Sequence, residues 1–137
     1  MNAEEYGRLL NTLLQAERAG AKLLAAYVDE LPEHAPQRAL LSRIQRDEAK
    51  NCAVLIHLLL DAGLEVSTAV GSFYSRGLTI TDWDARFSFL NRGQEWVAEH
   101  IAAALPRLPA SSGRHLLEAM YESHLENIAL CEGRIPA

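Results

Sequence analysis

The stretch Ile44–Leu60, IQRDEAKNCAVLIHLLL, decides the fold. Stepping by three and four from Ile44 reaches Glu48, then Asn51 or Cys52, then Leu55 and Leu58, which is the period of an amphipathic helix. One member of that stripe is a carboxylate. An unpaired carboxylate in a buried seam costs several kcal/mol, so the reason for Glu48 has to lie elsewhere in the chain.

The same period runs outward in both directions, and no sustained alternation marks a strand outside the middle of the chain. A first helix is expected over about Ala3–Glu30, opened by a capping box of Asn2 with Glu5 and closed before LPEHAP. The second starts near Pro36, a residue suited to a first turn, and ends at Gly63. The third starts after Thr81, with Asp84 completing a second capping box, and runs to about Leu105 before the prolines of LPRLP. The fourth begins at Ser111 or Ser112 and reaches about Glu132. Between the second and third lies LEVSTAVGSFYSRGLTIT, which can hold a short helical or extended piece around Ser72–Leu78.

Short connections make the first and last pairs antiparallel hairpins, while roughly 18 residues in the middle suffice to run the length of a bundle. The expected fold is all-α, one domain over residues 1–137. Its architecture is a four-helix bundle of two hairpins joined by a long crossover, the ferritin-like arrangement. A simple up-down bundle with a structureless middle loop is disfavoured, because such loops are uncommon in compact domains.

With 49% hydrophobic residues in 137, the chain can bury a core without disulfides. A formal charge of -5 and arginines scattered among acids exclude a general nucleic-acid binder, which needs clustered Lys and Arg. The start, MNAEEYGRLL, has no basic segment followed by an apolar core, and no apolar run reaches the roughly 18 residues of a membrane span. The cytoplasm is therefore the expected compartment, with no membrane partner.

Each helix repeats the puzzle of Glu48. The first seam reads Leu10, Leu13, Glu17, Gly20, Leu24, Tyr27, Leu31, and the second Leu41, Ile44, Glu48, Asn51 or Cys52, Leu55, Leu58, Ala62. The third reads Trp83, Phe87, Leu90, Gln94, Val97, Ile101, Ala104, and the fourth Leu117, Met120, His124, Asn127 or Ile128, Cys131. Glu17, Glu48 and Gln94 lie near the midpoints of their helices and His124 just past its own, so helices of similar length bring all four to one layer. The hairpins match: Glu17 precedes Glu48-x-x-Asn51 by 31 residues, and Gln94 precedes His124-x-x-Asn127 by 30. Two facing carboxylates need a cation, a proton or hydrogen-bond donors. A divalent iron, manganese or zinc ion is one such compensation, because carboxylate oxygen with imidazole nitrogen suits those metals.

This pattern resembles the ferritin-like superfamily, whose two-metal sites take one Glu from each of two helices and an E-x-x-H from each of the other two. Glu17 matches the single Glu of the first helix and Glu48 the Glu of the first E-x-x-H. The segments LLQAERAGAKLLAAYVDELP, QRDEAKNCAVLIHLLL and FLNRGQEWVAEHIAAALP also look like a family of small bacterial ferritin-like proteins, a likeness that carries a fold and little established function. The chain departs from the superfamily pattern at Asn51, which stands where the first histidine belongs, at Gln94, which replaces a Glu, and at His124 with Asn127, where the second E-x-x-H belongs. What the resemblance leaves as metal ligands is Glu17, Glu48 and His124, supported by Gln94, Asn51 and Asn127. That set suits one divalent ion with water better than two bridged irons.

Other residues read as surface or edge groups. Glu95 would replace Gln94 only if the third helix turned by about 100°, and its stripe is less apolar. Asp47 flanks the seam, Glu122 and Glu126 point away from His124, and His34, His57, His100 and His115 lie off the seams. Arg18, Arg46 and Arg92 lie near layer residues and could pair with buried acids through bidentate contacts, but ordinary surface pairing is the expected role. Gly20 and Gly93 each cost a helix about 1 kcal/mol relative to Ala, which a close helix approach or a ligand entry point would justify. Cys52 and Cys131 fall about 6 Å and about 10 Å to opposite sides of the layer at 1.5 Å per residue, too far apart to pair.

Two functions follow. One is a metal-dependent redox or oxygen-handling enzyme with its metal at the layer and its substrate undefined. The other is a metal-free helical interaction module, a homodimer, in which the layer fixes helix register and the exposed loop GSFYSRGL meets a partner. Iron storage would need an assembled shell and a full metal centre, which this sequence does not support.

Overall fold

The computed structural model describes residues 1–133. Those residues are all-helical: α1 (Ala3–Asp29), α2 (Pro36–Asp61), α3 (Phe73–Gly77), α4 (Trp83–Ala104) and α5 (Ser112–Glu132), with a single 3-10 turn, Leu105–Arg107, after α4. No strand occurs among them.

The helix ends follow from local chemistry. Asn2 and Glu5 form the reciprocal capping box expected for α1, Asn2 accepting from the Glu5 amide at 2.8 Å. At the end of α2, Gly63 takes the left-handed conformation (φ 68) and the amides of Gly63 and Leu64 donate to the carbonyls of Leu60 and Leu59. This double closure satisfies carbonyls that the helix end leaves open. The start of α4 corrects the expected Thr81–Asp84 box. Asp82 is the cap, its carboxylate accepting from the Ala85 amide at 2.9 Å; a carboxylate also complements the helix dipole, which a Thr hydroxyl does not. Ser111 caps α5, accepting from the Arg114 amide.

Two apolar clusters form the core. One holds Leu10, Leu13 and Leu14 of α1, Leu55 and Leu59 of α2, Val97 and Ile101 of α4, and Leu117 and Met120 of α5. The other holds Leu23, Leu24 and Tyr27, Leu41 and Ile44, Phe87 and Leu90, and Cys131. Each fully buried Leu contributes roughly 1.5–3 kcal/mol relative to exposure, so both clusters drive folding. Helix direction follows from their membership: α1 and α5 begin in the first cluster and end in the second, whereas α2 and α4 run the other way. The chain between α2 and α4 therefore returns from one end of the molecule to the other.

That return is pinned along one face of α1. Asn11 donates to the Glu65 carbonyl and accepts from the Ser67 amide, Gln15 donates to the Ser67 hydroxyl and accepts the Gly71 amide at its carbonyl, and Arg18 donates to the carbonyls of Ser67 and Ala69. Lys22 completes the stripe, 5.4 Å from the centre of the Tyr74 ring. These residues recur at four, three and four, the same-face spacing of a helix. Further on, the Tyr27 hydroxyl donates to the Gly77 carbonyl at 2.7 Å, and Phe73 stacks on Phe89 with ring centres 4.3 Å apart. The segment GSFYSRGL is thus anchored on α1 and α4 through Phe73, Tyr74 and Gly77, while Ser72, Ser75, Arg76 and Leu78 stay exposed as expected of this loop. Phe73 and Phe89 had apolar surface to bury, and each supplied a platform for the other.

Candidate functional site

Between the two apolar clusters lies the polar layer. Glu17, Glu48, Asn51, Gln94, His124 and Asn127 are all buried, as the seams predict; of the seam positions, Ala62 is exposed because it is the C-terminal cap of α2. Cys52 packs against the first cluster and Cys131 lies in the second, on opposite sides of the layer.

Three helices meet at His124. Its Nδ1 lies 2.6 Å from the Gln94 side-chain carbonyl, and its Nε2 is hydrogen-bonded to Oε1 of Glu17. Both ring nitrogens are thus engaged, which ties α4 and α1 to α5 at a single side chain. Asn51 donates to the other Glu17 oxygen at 3.3 Å. Glu17, with no exposed surface, thus has a hydrogen-bond partner at each oxygen, the condition under which a buried carboxyl is tolerated.

Glu48 is outside this network. Its Oε2 has no hydrogen-bond partner, nor does the Gln94 amide nitrogen. Burial pushes its carboxyl well above the ordinary value, and the neighbouring carboxylates of Glu17 and Asp47 push it further. Glu48 therefore keeps its proton to a higher pH in the fold than it would in water.

Asn127 faces the other way. It donates to Asp47 at 3.1 Å, and that half-buried aspartate is a hydrogen-bond partner rather than the solvated flank its position suggested. Glu95, Glu122, Glu126 and the four remaining histidines are exposed. Arg18 holds the crossover instead of pairing with an acid.

The hydrogen bonds of the layer occupy the atoms that a metal would need. His124 has both nitrogens engaged and Glu17 both oxygens, which leaves Glu48 as the open carboxyl. No group of three or more His, Cys, Asp or Glu side chains is placed to hold a metal ion among the described residues.

What opens beside Glu48 is a cavity of about 570 Å³ between α1, α4 and the α3 segment. Glu48 and Gln94 line it together with Leu24, Phe73, Phe89 and Val97, and Arg76, Arg92 and Trp96 stand at its exposed side. Both helix glycines explain themselves here. A Cβ on Gly20 would fall 2.7 Å from each Glu48 oxygen, and a Cβ on Gly93 would fall 2.5 Å from the Phe73 ring. They are close approaches of side chains to helix backbone, and both line the cavity.

Sequence reading missed Arg86. It is buried one position before the seam residue Phe87, lies 4.5 Å over both Tyr27 and Trp83, and donates to the Ile80 carbonyl and Glu30. An arginine beside a seam of aromatics is a weak signal for such a sandwich, since the same pattern suits a solvated flank.

These features define an all-helical protein with a buried acid–histidine–amide layer beside a cavity. The chain belongs to the DUF6306 family, described as a domain of unknown function, whose model matches residues 4–133. No curated protein and no solved structure matches it. No helix among the described residues is long and apolar enough to cross a membrane.

Proposed function

We propose that this chain is a four-helix module of the ferritin-like arrangement whose polar layer is a hydrogen-bonded network and whose cavity binds a small molecule against Glu48. The arrangement is supported by the helix directions and by the pinned crossover that joins α2 to α4. The binding reading rests on one observation: Glu48 and Gln94, both buried, each leave a polar atom unsatisfied while lining the same cavity. Leaving such groups unmet costs about 1–3 kcal/mol each, and a bound polar group would recover it. A volume of about 570 Å³ lies within the range of small-molecule sites, roughly 300–1,000 Å³.

In this reading the Glu17–His124–Gln94 chain is the rigid back wall. It fixes the register of three helices and holds Gln94 at the wall of the cavity. Glu48 supplies a carboxyl group from a site where Gly20 leaves it room. No redox or group-transfer step is assigned.

The neutral dye N-phenylnaphthylamine, bright in apolar surroundings, tests this. Its fluorescence should rise saturably with the wild-type protein and fail to rise with Ala16→Phe, which places a ring in the cavity. Equal response of both proteins would overturn the reading. So would stoichiometric iron, manganese or zinc in untagged protein that is lost when Glu17 and Glu48 are both changed to Gln, since that result belongs to a metal centre.

A further inference from the structure

The cavity has two chemically different ends. Its inner end is the layer, with the unpartnered Glu48 Oε2 and Gln94 Nε2. Its outer side carries Arg76 on α3 and Arg92 on α4, both exposed. These guanidiniums flank one ring: Arg76 lies 5.7 Å and Arg92 5.8 Å from the centre of Phe89. Neither meets a carboxylate among the described residues. Between the ends the walls are Leu24, Phe73, Phe89, Leu90 and Val97.

Two cations with no counter-ion at the mouth of an apolar pocket raise the local concentration of anions. Arginine also offers a planar fork that matches carboxylate and phosphate oxygens. A cationic ligand would have to pass both guanidiniums. A wholly apolar one would leave the inner atoms unmet.

We infer that the ligand is a small organic anion with an apolar body and a hydrogen-bonding group at its far end. The anionic head sits between Arg76 and Arg92, the body lies on Phe73 and Phe89, and the distal group reaches Glu48 and Gln94. This inference rests on the proposed binding at Glu48 and adds the chemical class and orientation of the ligand.

Displacement of N-phenylnaphthylamine by four probes tests it: octanoate, ω-hydroxyoctanoate, octanol and octylamine. Octanoate should displace the dye at about tenfold lower concentration than octanol, and octylamine should be the weakest. The advantage of octanoate should shrink with added salt and vanish in Arg76→Gln/Arg92→Gln, two exposed changes that leave the fold intact. The ω-hydroxy acid should bind about three- to tenfold tighter than octanoate, as one added hydrogen bond predicts. That gain should persist in Glu48→Gln and be lost in Glu48→Met. Equal displacement by octanoate, octanol and octylamine would overturn the anion class while leaving the cavity as a binding site. A dye response insensitive to Ala16→Phe would overturn the binding site itself.

Discussion

Gly20 of α1 and Glu48 of α2 are packed so closely that the glycine hydrogen stands where any side chain would meet both carboxyl oxygens at 2.7 Å. In an exposed helix Gly20→Ala would stabilise by about 1 kcal/mol. Here the added methyl must push aside the Glu48 carboxyl, the free end of a flexible side chain beside the cavity, so that gain should be largely cancelled and the midpoint in urea unfolding should stay close to wild type. Adding Glu48→Ala should remove the clash, making the pair non-additive as contacting residues are.

Glu48 also governs a pH dependence. Its carboxyl is held above the ordinary value of 4.5 in the fold by burial, Glu17 and Asp47. A group shifted this way contributes stability that is fully present below its unfolded value and lost as pH rises through its folded value. Wild type should therefore lose thermal stability relative to Glu48→Gln as pH rises from about 4.5. A difference in Tm that stays constant with pH would mean that Glu48 does not take up a proton on folding.

The pairing of Glu17 with His124 makes each partner costly to remove alone. His124→Leu strands a fully buried carboxylate, and losses of about 3–5 kcal/mol are usual when one member of a buried ion pair goes. Glu17→Leu/His124→Leu together should cost less than His124→Leu alone. Denaturant unfolding of both single variants and the double variant measures the coupling.

Asn11 carries two of the bonds that fix the crossover to α1, to the Glu65 carbonyl and the Ser67 amide. Asn11→Ala should cost about 1–2 kcal/mol locally and expose residues 64–81 to limited proteolysis, with cleavage there preceding global unfolding. Unchanged protection of that segment would show that Gln15 and Arg18 hold it without Asn11.

Much of the core was legible in the sequence because helical seams encode burial directly. Leu10, Leu13, Leu24, Leu41, Ile44, Leu55, Leu90 and Ile101 sit where the three-and-four spacing puts them, and Glu17, Glu48, Gln94 and His124 share a layer. What spacing cannot carry is the direction of a side chain within the layer. Asn51 and Asn127 occupy matched positions in the two hairpins, yet one donates to Glu17 and the other to Asp47. The crossover was equally opaque, since its bonds come from Asn11, Gln15 and Arg18 on the polar face of α1, and spacing gives a polar face no partner. Gly20 and Gly93 were the two clues to the cavity. Each marked a close approach, and neither named its partner.

The resonance of the Glu48 carboxyl carbon tests the central claim most directly. In wild-type protein it should move when N-phenylnaphthylamine or octanoate is added, while the His124 ring nitrogens keep the shifts they have without ligand. In Ala16→Phe the Glu48 signal should stay in place. Saturable binding that leaves the Glu48 resonance unmoved in wild type would contradict a site built against Glu48.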